Sequence, residues 1–141
     1  MCGIVGWASW NEKPKVSIVK QMTNALIHRG PDFGNVVNLN NVILGHRRLS
    51  ILDLSKNGNQ PMADKSKKIW IVFNGEIYNF IELKKILISK GLNFFNGSDT
   101  EVIINAYKYW GISCVKKFNG MFSFCIWDEN KNKLFLVRDR M

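Results

Sequence analysis

The stretch MCGIVGW, residues 1–7, sets where the fold begins and what its first reactive atom is. Ile4 to Ser9 reads as a buried strand that opens almost at once, and Cys2 stands at its head with only Met1 in front. With Met1 removed, Cys2 carries a free α-amine beside its thiol, and in model peptides an α-amine (about 7.7–8.0) and a thiol (about 8.5) titrate close together. The amine can take the thiol proton directly or through a water, so a single residue supplies nucleophile and base without any histidine. Cys2 also reads as a small apolar residue at the start of a strand, and position alone leaves both readings open.

Working outward, Val16, Val19, Met22 and Leu26 recur at helical spacing and predict a helix over 16–28, which HRGPDFG (28–34) ends with Pro31 and two glycines. The segments 35–39 and 42–45 read as a hairpin about Asn40-Asn41. A strand over 69–73 is expected to stop at the turn signal Asn74-Gly75, and Phe80, Leu83 and Leu87 mark a second helix ending at Gly91. Ile103, Ala106, Tyr107 and Trp110 mark a third helix over 99–110, with Ser98 as N-cap and Glu101 as the reciprocal acid of a capping box. MFSFCIWD and KLFLVRD flank the polar stretch 129–132 as a second hairpin. The order β-α-β-β-β-α-α-β-β predicts an α+β fold layered on largely antiparallel sheets.

At 141 residues and 46% hydrophobic content the chain fits one globular domain with a real core. It has no apolar run of the roughly 20 residues needed to span a bilayer, and no basic segment precedes its first apolar stretch as an export signal requires. Three cysteines, Cys2, Cys114 and Cys125, cannot all pair within one chain and match no zinc spacing, which predicts a reducing cytoplasm and no metal. Cys114 and Cys125 lie among apolar neighbours and read as core filling. Twenty Lys and Arg against eleven Asp and Glu give +9, but the lysines fall mostly in ones and twos, so a solvated surface is expected rather than a nucleic-acid partner. A basic nucleic-acid-binding protein is the alternative that the charge leaves in view.

Further stretches carry possible chemistry. In NGEIYN (74–79) an amide side chain sits next to a glycine N–H, two donors of the kind that hold a tetrahedral oxyanion; the same Asn-Gly also reads as a turn. GHRRLSILDL (45–54) places Arg47 and Arg48 in an apolar run, where a buried guanidinium is costly unless it meets a carboxylate, and a ligand can bring one. Asp99 opens a helix, where it can favour the dipole or face a ligand ammonium. His28 and Arg29 close the first helix and, with Pro31, read as scaffold.

Together, Cys2-Gly3-Ile4, HRGPD (28–32), GHRRLSILDLSKNGNQPM (45–62), FNGEIYN (73–79), SDTEVI (98–103) and FNGMFSFCIWD (118–128) resemble the class II, N-terminal nucleophile, glutamine amidotransferase domain of glutamine-hydrolysing asparagine synthetases. The resemblance implies a four-layer α/β/β/α sandwich of antiparallel sheets, here stopping short at the C-terminus, so that residues 1–141 would be a partial amidotransferase domain with the synthetase domain absent. It implies that Cys2 attacks the glutamine side-chain amide to give a thioester and ammonia, with Asn74 and Gly75 as the oxyanion hole. Arg48 would bind the substrate α-carboxylate, Leu49 and Ile51 would line the pocket, and Glu76 and Asp99 would lie near the α-ammonium. Glutamine is the implied substrate. The implied partner is a synthetase domain or subunit that uses the ammonia to amidate aspartate or a related carboxylate; ATP and magnesium belong to that half, and no cofactor is expected in this chain. The alternative within this lineage is a catalytically inactive remnant that binds glutamine or a partner.

Overall fold

A computed structural model describes residues 2–50 and 56–140. The elements run β1 (Gly3–Ala8), α1 (Val16–Ala25), β2 (Phe33–Asn38), β3 (Val42–Arg48), the two-residue β4 (Met62–Ala63), β5 (Ile69–Ile77), α2 (Phe80–Ser89), α3 (Asp99–Trp110), β6 (Gly120–Asp128) and β7 (Lys133–Arg138). A 3₁₀ helix, Gly111–Lys117, follows α3. The strands form two sheets, ordered β1-β3-β2 and β4-β5-β6-β7, and the pairs β1–β3, β2–β3, β4–β5 and β6–β7 are antiparallel. The mixed α/β architecture on antiparallel sheets matches the expected fold class. No helix among the described residues is long and apolar enough to cross a membrane.

The chain forms two compact units, the first Met1–Pro61 with Val72–Asn74 and the second Met62–Ile71 with Gly75–Met141. In the first unit α1 packs on β1, β2 and β3. β3 is the central strand of its sheet and buries Val42, Ile43, Leu44 and His46 fully or nearly so. The helix presents Val19 and Thr23 inward rather than Val19 and Met22, because the Thr23 hydroxyl donates to the Val19 carbonyl (2.7 Å) and enters the core without an unpaired polar atom. Helix α1 ends at Ala25, three residues earlier than expected: Leu26, Arg29 and Gly30 donate to carbonyls three residues back, so 26–30 tightens into successive turns ahead of Pro31.

In the second unit α2 and α3 pack together, with Leu83 and Leu87 on the buried side of α2. Each such fully buried leucine contributes about 1.5–3 kcal/mol. Helix α3 is buried at every position from Thr100 to Tyr107, which makes it the central helix of its unit. The Tyr107 hydroxyl donates to Asp128 (2.8 Å), and the burial this entails raises the phenol above its ordinary pKa.

The largest departure from the sequence reading is at Asn74-Gly75, which is no turn: β5 runs unbroken from Ile69 to Ile77. Gly75 has φ +143°, and a Cβ there would overlap the Met121 carbonyl, so this glycine serves close backbone approach within the sheet.

Candidate active site

Strand β1 pairs with β3 in the register Gly3↔Arg47, which brings Cys2 to the far end of β3. The Leu49 N–H donates to the Cys2 sulfur at 3.5 Å, and the sulfur lies 4.0 Å from the Leu49 carbonyl oxygen. Cys2 is half-buried, whereas Cys114 and Cys125 are fully enclosed and burial pushes both thiols up to about 12. Those two are inert core residues, as expected, and Cys2 is the accessible thiol of the three.

The HRGPD segment holds this corner from beneath. Arg29 Nε donates to the Cys2 carbonyl oxygen (3.2 Å), the Asp32 N–H donates to the Arg48 carbonyl (3.1 Å), and Asp32 Oδ2 accepts from the Ser50 N–H (2.7 Å). A Cβ at Gly30 would overlap the Arg47–Arg48 peptide, so glycine is required for the approach. The scaffold reading of this motif gains a specific content that spacing could not supply: Arg29 grips the carbonyl of Cys2 itself. His28 is exposed, with Nδ1 3.1 Å from the Ala25 carbonyl at the end of α1.

Of the two arginines in the apolar run, only Arg48 is buried, at 8% exposure. Strand alternation sends Arg47 the other way, where Nε donates to the Thr23 carbonyl (3.2 Å) and Nη2 to Asn24 Oδ1 (2.8 Å); it satisfies the last turn of α1 and needs no ligand. Arg48 Nη1 donates to Asn59 Oδ1 (2.8 Å). Leu49 is half-buried, and Ile51 lies outside the described residues.

Asn74 sits half-buried in the middle stretch of β5, and its Oδ1 is a buried atom with no hydrogen-bond partner among the described residues. Nearby in the same unit is a residue the sequence reading did not single out, His46. It has no exposed surface, its Nε2 lies 3.2 Å from the Phe73 carbonyl oxygen, and burial, aided by the charge of Arg48, lowers its pKa to about 4 against the opposing pull of the Phe73 hydrogen bond. The available signal was a histidine directly after the apolar stretch Val42–Gly45 and before the two arginines of the same strand.

The second unit carries Gly75, Glu76 and Asp99. Gly75 and Glu76 are exposed; Asp99 is half-buried and accepts from the Ile77 N–H (3.1 Å). Burial raises the Asp99 carboxyl above the usual range, N–H donation from Ile77 and Thr100 partly offsets this, and the negative charge of Glu76 adds to the rise. Two acids that repel one another in this way both gain from a cation placed beside them.

The neighbouring Glu101 behaves differently. Ser98 caps α3 as expected, its hydroxyl accepting from the Glu101 N–H (3.2 Å), but Glu101 does not return the bond. The Ser98 N–H is taken by Asn96 Oδ1 (2.9 Å), and the Glu101 carboxylate instead accepts from the N–H groups of Phe95 (2.7 Å) and Asn96 (2.9 Å), tying down the preceding loop. A hollow of about 310 Å³ in this unit is lined by Asp64, Lys65, Phe95, Glu101, Asn105 and Lys108 among others, and it contains none of the expected site residues. Its carboxylates are already engaged, Glu101 as above and Asp64 by the Lys108 ammonium (3.2 Å).

With this geometry in view, comparison with known proteins gives a consistent result. The family model described as "Glutamine amidotransferase domain" matches residues 1–141. The chain is 41% identical over 145 residues to asparagine synthetase [glutamine-hydrolyzing] 3 of Bacillus subtilis, covering 100% of this chain and 24% of that protein. It is 36% identical over 141 residues to asparagine synthetase [glutamine-hydrolyzing] 1 of Arabidopsis thaliana, covering 99% of this chain and 24% of that protein. The chain thus spans about a quarter of the length of these relatives. Among solved structures, glutamine phosphoribosylpyrophosphate amidotransferase from B. subtilis superposes with a TM-score of 0.79 at 18% identity, over 99% of this chain and 37% of that one, a likeness that shows the fold. Over its whole length, therefore, the chain belongs to the glutamine amidotransferase domain family.

Proposed function

We propose that this domain hydrolyses the side-chain amide of glutamine through a thioester on Cys2. The observation that carries the reading is the Leu49 N–H at 3.5 Å from the Cys2 sulfur, which joins the accessible thiol to the end of the strand that bears the buried Arg48. Once Met1 is removed, the Cys2 amine accepts the thiol proton and the sulfur attacks the amide carbon of glutamine. The amide oxygen becomes an oxyanion, received by the side-chain N–H of Asn74 and the backbone N–H of Gly75, the next residue in the chain. The ammonium formed at Cys2 returns the proton to the leaving nitrogen, the C–N bond breaks, and ammonia departs. Water then adds to the thioester, the C–S bond breaks, and glutamate and the free thiol are restored.

In this reading Arg48 pairs with the α-carboxylate of glutamine, Leu49 and Ile51 line the pocket, and Glu76 and Asp99 receive the α-ammonium. The burial of the Arg48 guanidinium and the raised Asp99 carboxyl support it, because a free amino acid brings a carboxylate suited to the first and an ammonium suited to the second. The ammonia passes to a synthetase half with its own ATP and magnesium, which amidates aspartate or a related carboxylate, in a reducing cytoplasm. The relatives named as asparagine synthetases support that assignment.

The test combines turnover with labelling. The chain is expected to release glutamate and ammonia from glutamine in equal amounts, to lose this activity in Cys2→Ala, and to take one adduct, mapped to Cys2, from an electrophilic glutamine analogue. Hydrolysis that survives Cys2→Ala, or adducts confined to Cys114 and Cys125, would overturn the reading.

A further inference from the structure

We propose that His46 is a positioning residue that orients Asn74 by holding the peptide bond in front of it. The inference rests on the proposed role of Asn74 as an oxyanion donor and adds a residue that this role requires.

A carbonyl oxygen can only accept, so the 3.2 Å contact between His46 Nε2 and the Phe73 oxygen places a proton on Nε2. In a ring with no exposed surface, the neutral form then has a bare Nδ1, and Nδ1 indeed has no partner among the described residues. The ring's hydrogen bonding is therefore directed to a single atom. The other polar group of the same residue is held as well, since the Phe73 N–H donates to Gln60 Oε1 at 2.6 Å. Phe73 thus has both its N–H and its C=O engaged by side chains, where strand backbone groups are ordinarily held by a neighbouring strand.

The carbonyl gripped by His46 belongs to the peptide unit whose nitrogen is that of Asn74. The orientation of this unit sets the direction in which the Asn74 side chain leaves the backbone. That side chain has little hold of its own, because its Oδ1 is buried without a partner among the described residues. Placement of its amide therefore falls to the backbone, and the backbone is fixed by His46 on one side and Gln60 on the other. Loss of an oxyanion donor costs roughly 10²–10³ in turnover, and a displacement of about 1 Å can cost about 10².

The experiment compares His46→Leu, which removes the donor, with His46→Gln, whose side-chain amide reaches a donor to about the place of Nε2. His46→Leu is expected to lower kcat for glutamine about 10- to 100-fold with KM changed less than about threefold, and His46→Gln to recover to within about fivefold of the wild type. Alkylation of Cys2 by iodoacetamide, which forms no oxyanion, is expected to stay within about twofold in both variants. An unchanged kcat in His46→Leu, equal defects in the two variants, or Cys2 alkylation that falls in step with turnover would overturn the inference. Should His46→Leu not fold, nitrogen NMR of the wild-type ring decides: protonated Nε2 with bare Nδ1 at neutral pH supports the role, and the opposite tautomer or a doubly protonated ring defeats it. A wild-type chain that does not hydrolyse glutamine removes the functional reading and this inference together, whereas an active wild type with an indifferent His46 removes the inference alone.

Discussion

The corner at Cys2 and the turn at Asp64 treat polar atoms in opposite ways. The Asp64 carboxylate accepts from the Ser66 hydroxyl (2.8 and 3.0 Å), from the N–H groups of Lys68 (3.0 Å) and Ile69 (3.1 Å), and from Lys108 Nζ (3.2 Å). Burial alone would raise its pKa, but these donors outweigh burial and hold it below the usual carboxylate range. Around Cys2 and Asn74 the polar atoms are incompletely matched: a sulfur with one N–H at 3.5 Å, a buried amide oxygen without a partner among the described residues, and a buried histidine with one nitrogen in the same state. A saturated carboxylate is a fastening, whereas under-satisfied groups are those that a substrate can complete.

Three measurements can break or sharpen this contrast. Asp64→Ala leaves Lys108 and several N–H groups without their acceptor, and should destabilise the chain by about 4 kcal/mol in urea denaturation. Its kcat/KM for glutamine should remain that of the wild type at temperatures where it is folded, and a selective loss of turnover would show that Asp64 is more than a fastening. Arg48→Ala should raise KM for glutamine about 100-fold while kcat changes less than about threefold. A turnover defect with normal saturation would contradict carboxylate binding.

The smallest effect concerns His46 and acid. Its folded pKa of about 4 lies below the ordinary histidine value of 6.5, so between these values the unfolded chain binds the extra proton. The stability it contributes is full above pH 6.5 and is lost as pH falls toward 4, by about 2 kcal/mol between pH 7 and pH 5. Urea denaturation of the wild type and His46→Gln at both pH values isolates this contribution as the difference between the two proteins. Equal acid sensitivity would mean that the ring is not held neutral.

Much of the fold was legible because it rests on local signals. The third helix is found as expected at Asp99–Trp110, since an N-cap serine and an apolar stripe act over four or five residues. The second hairpin follows for the same reason, with alternating β-formers on each side of a polar turn. Asn74-Gly75 was misread because Asn-Gly is a turn signal only where nothing else claims the glycine; here the approach of the Met121 carbonyl claims it, and residues 46 positions apart in sequence cannot announce that. The capping box was half right for a similar reason, with Asn96 competing for the Ser98 N–H and releasing Glu101 to the loop.

At the site, residue types in their order were enough to single out Cys2 as the candidate nucleophile and to mark a buried arginine. They could not separate Arg48 from Arg47, or His46 from a core histidine of no consequence. Those distinctions depend on which face of a strand is covered and which donors reach a given acceptor. Composition and periodicity act through neighbours along the chain, and so they determined the elements and the chemistry on offer. Burial and hydrogen-bond partnership act through neighbours in space, and so only the folded chain decided which groups are buried and which donors and acceptors they meet.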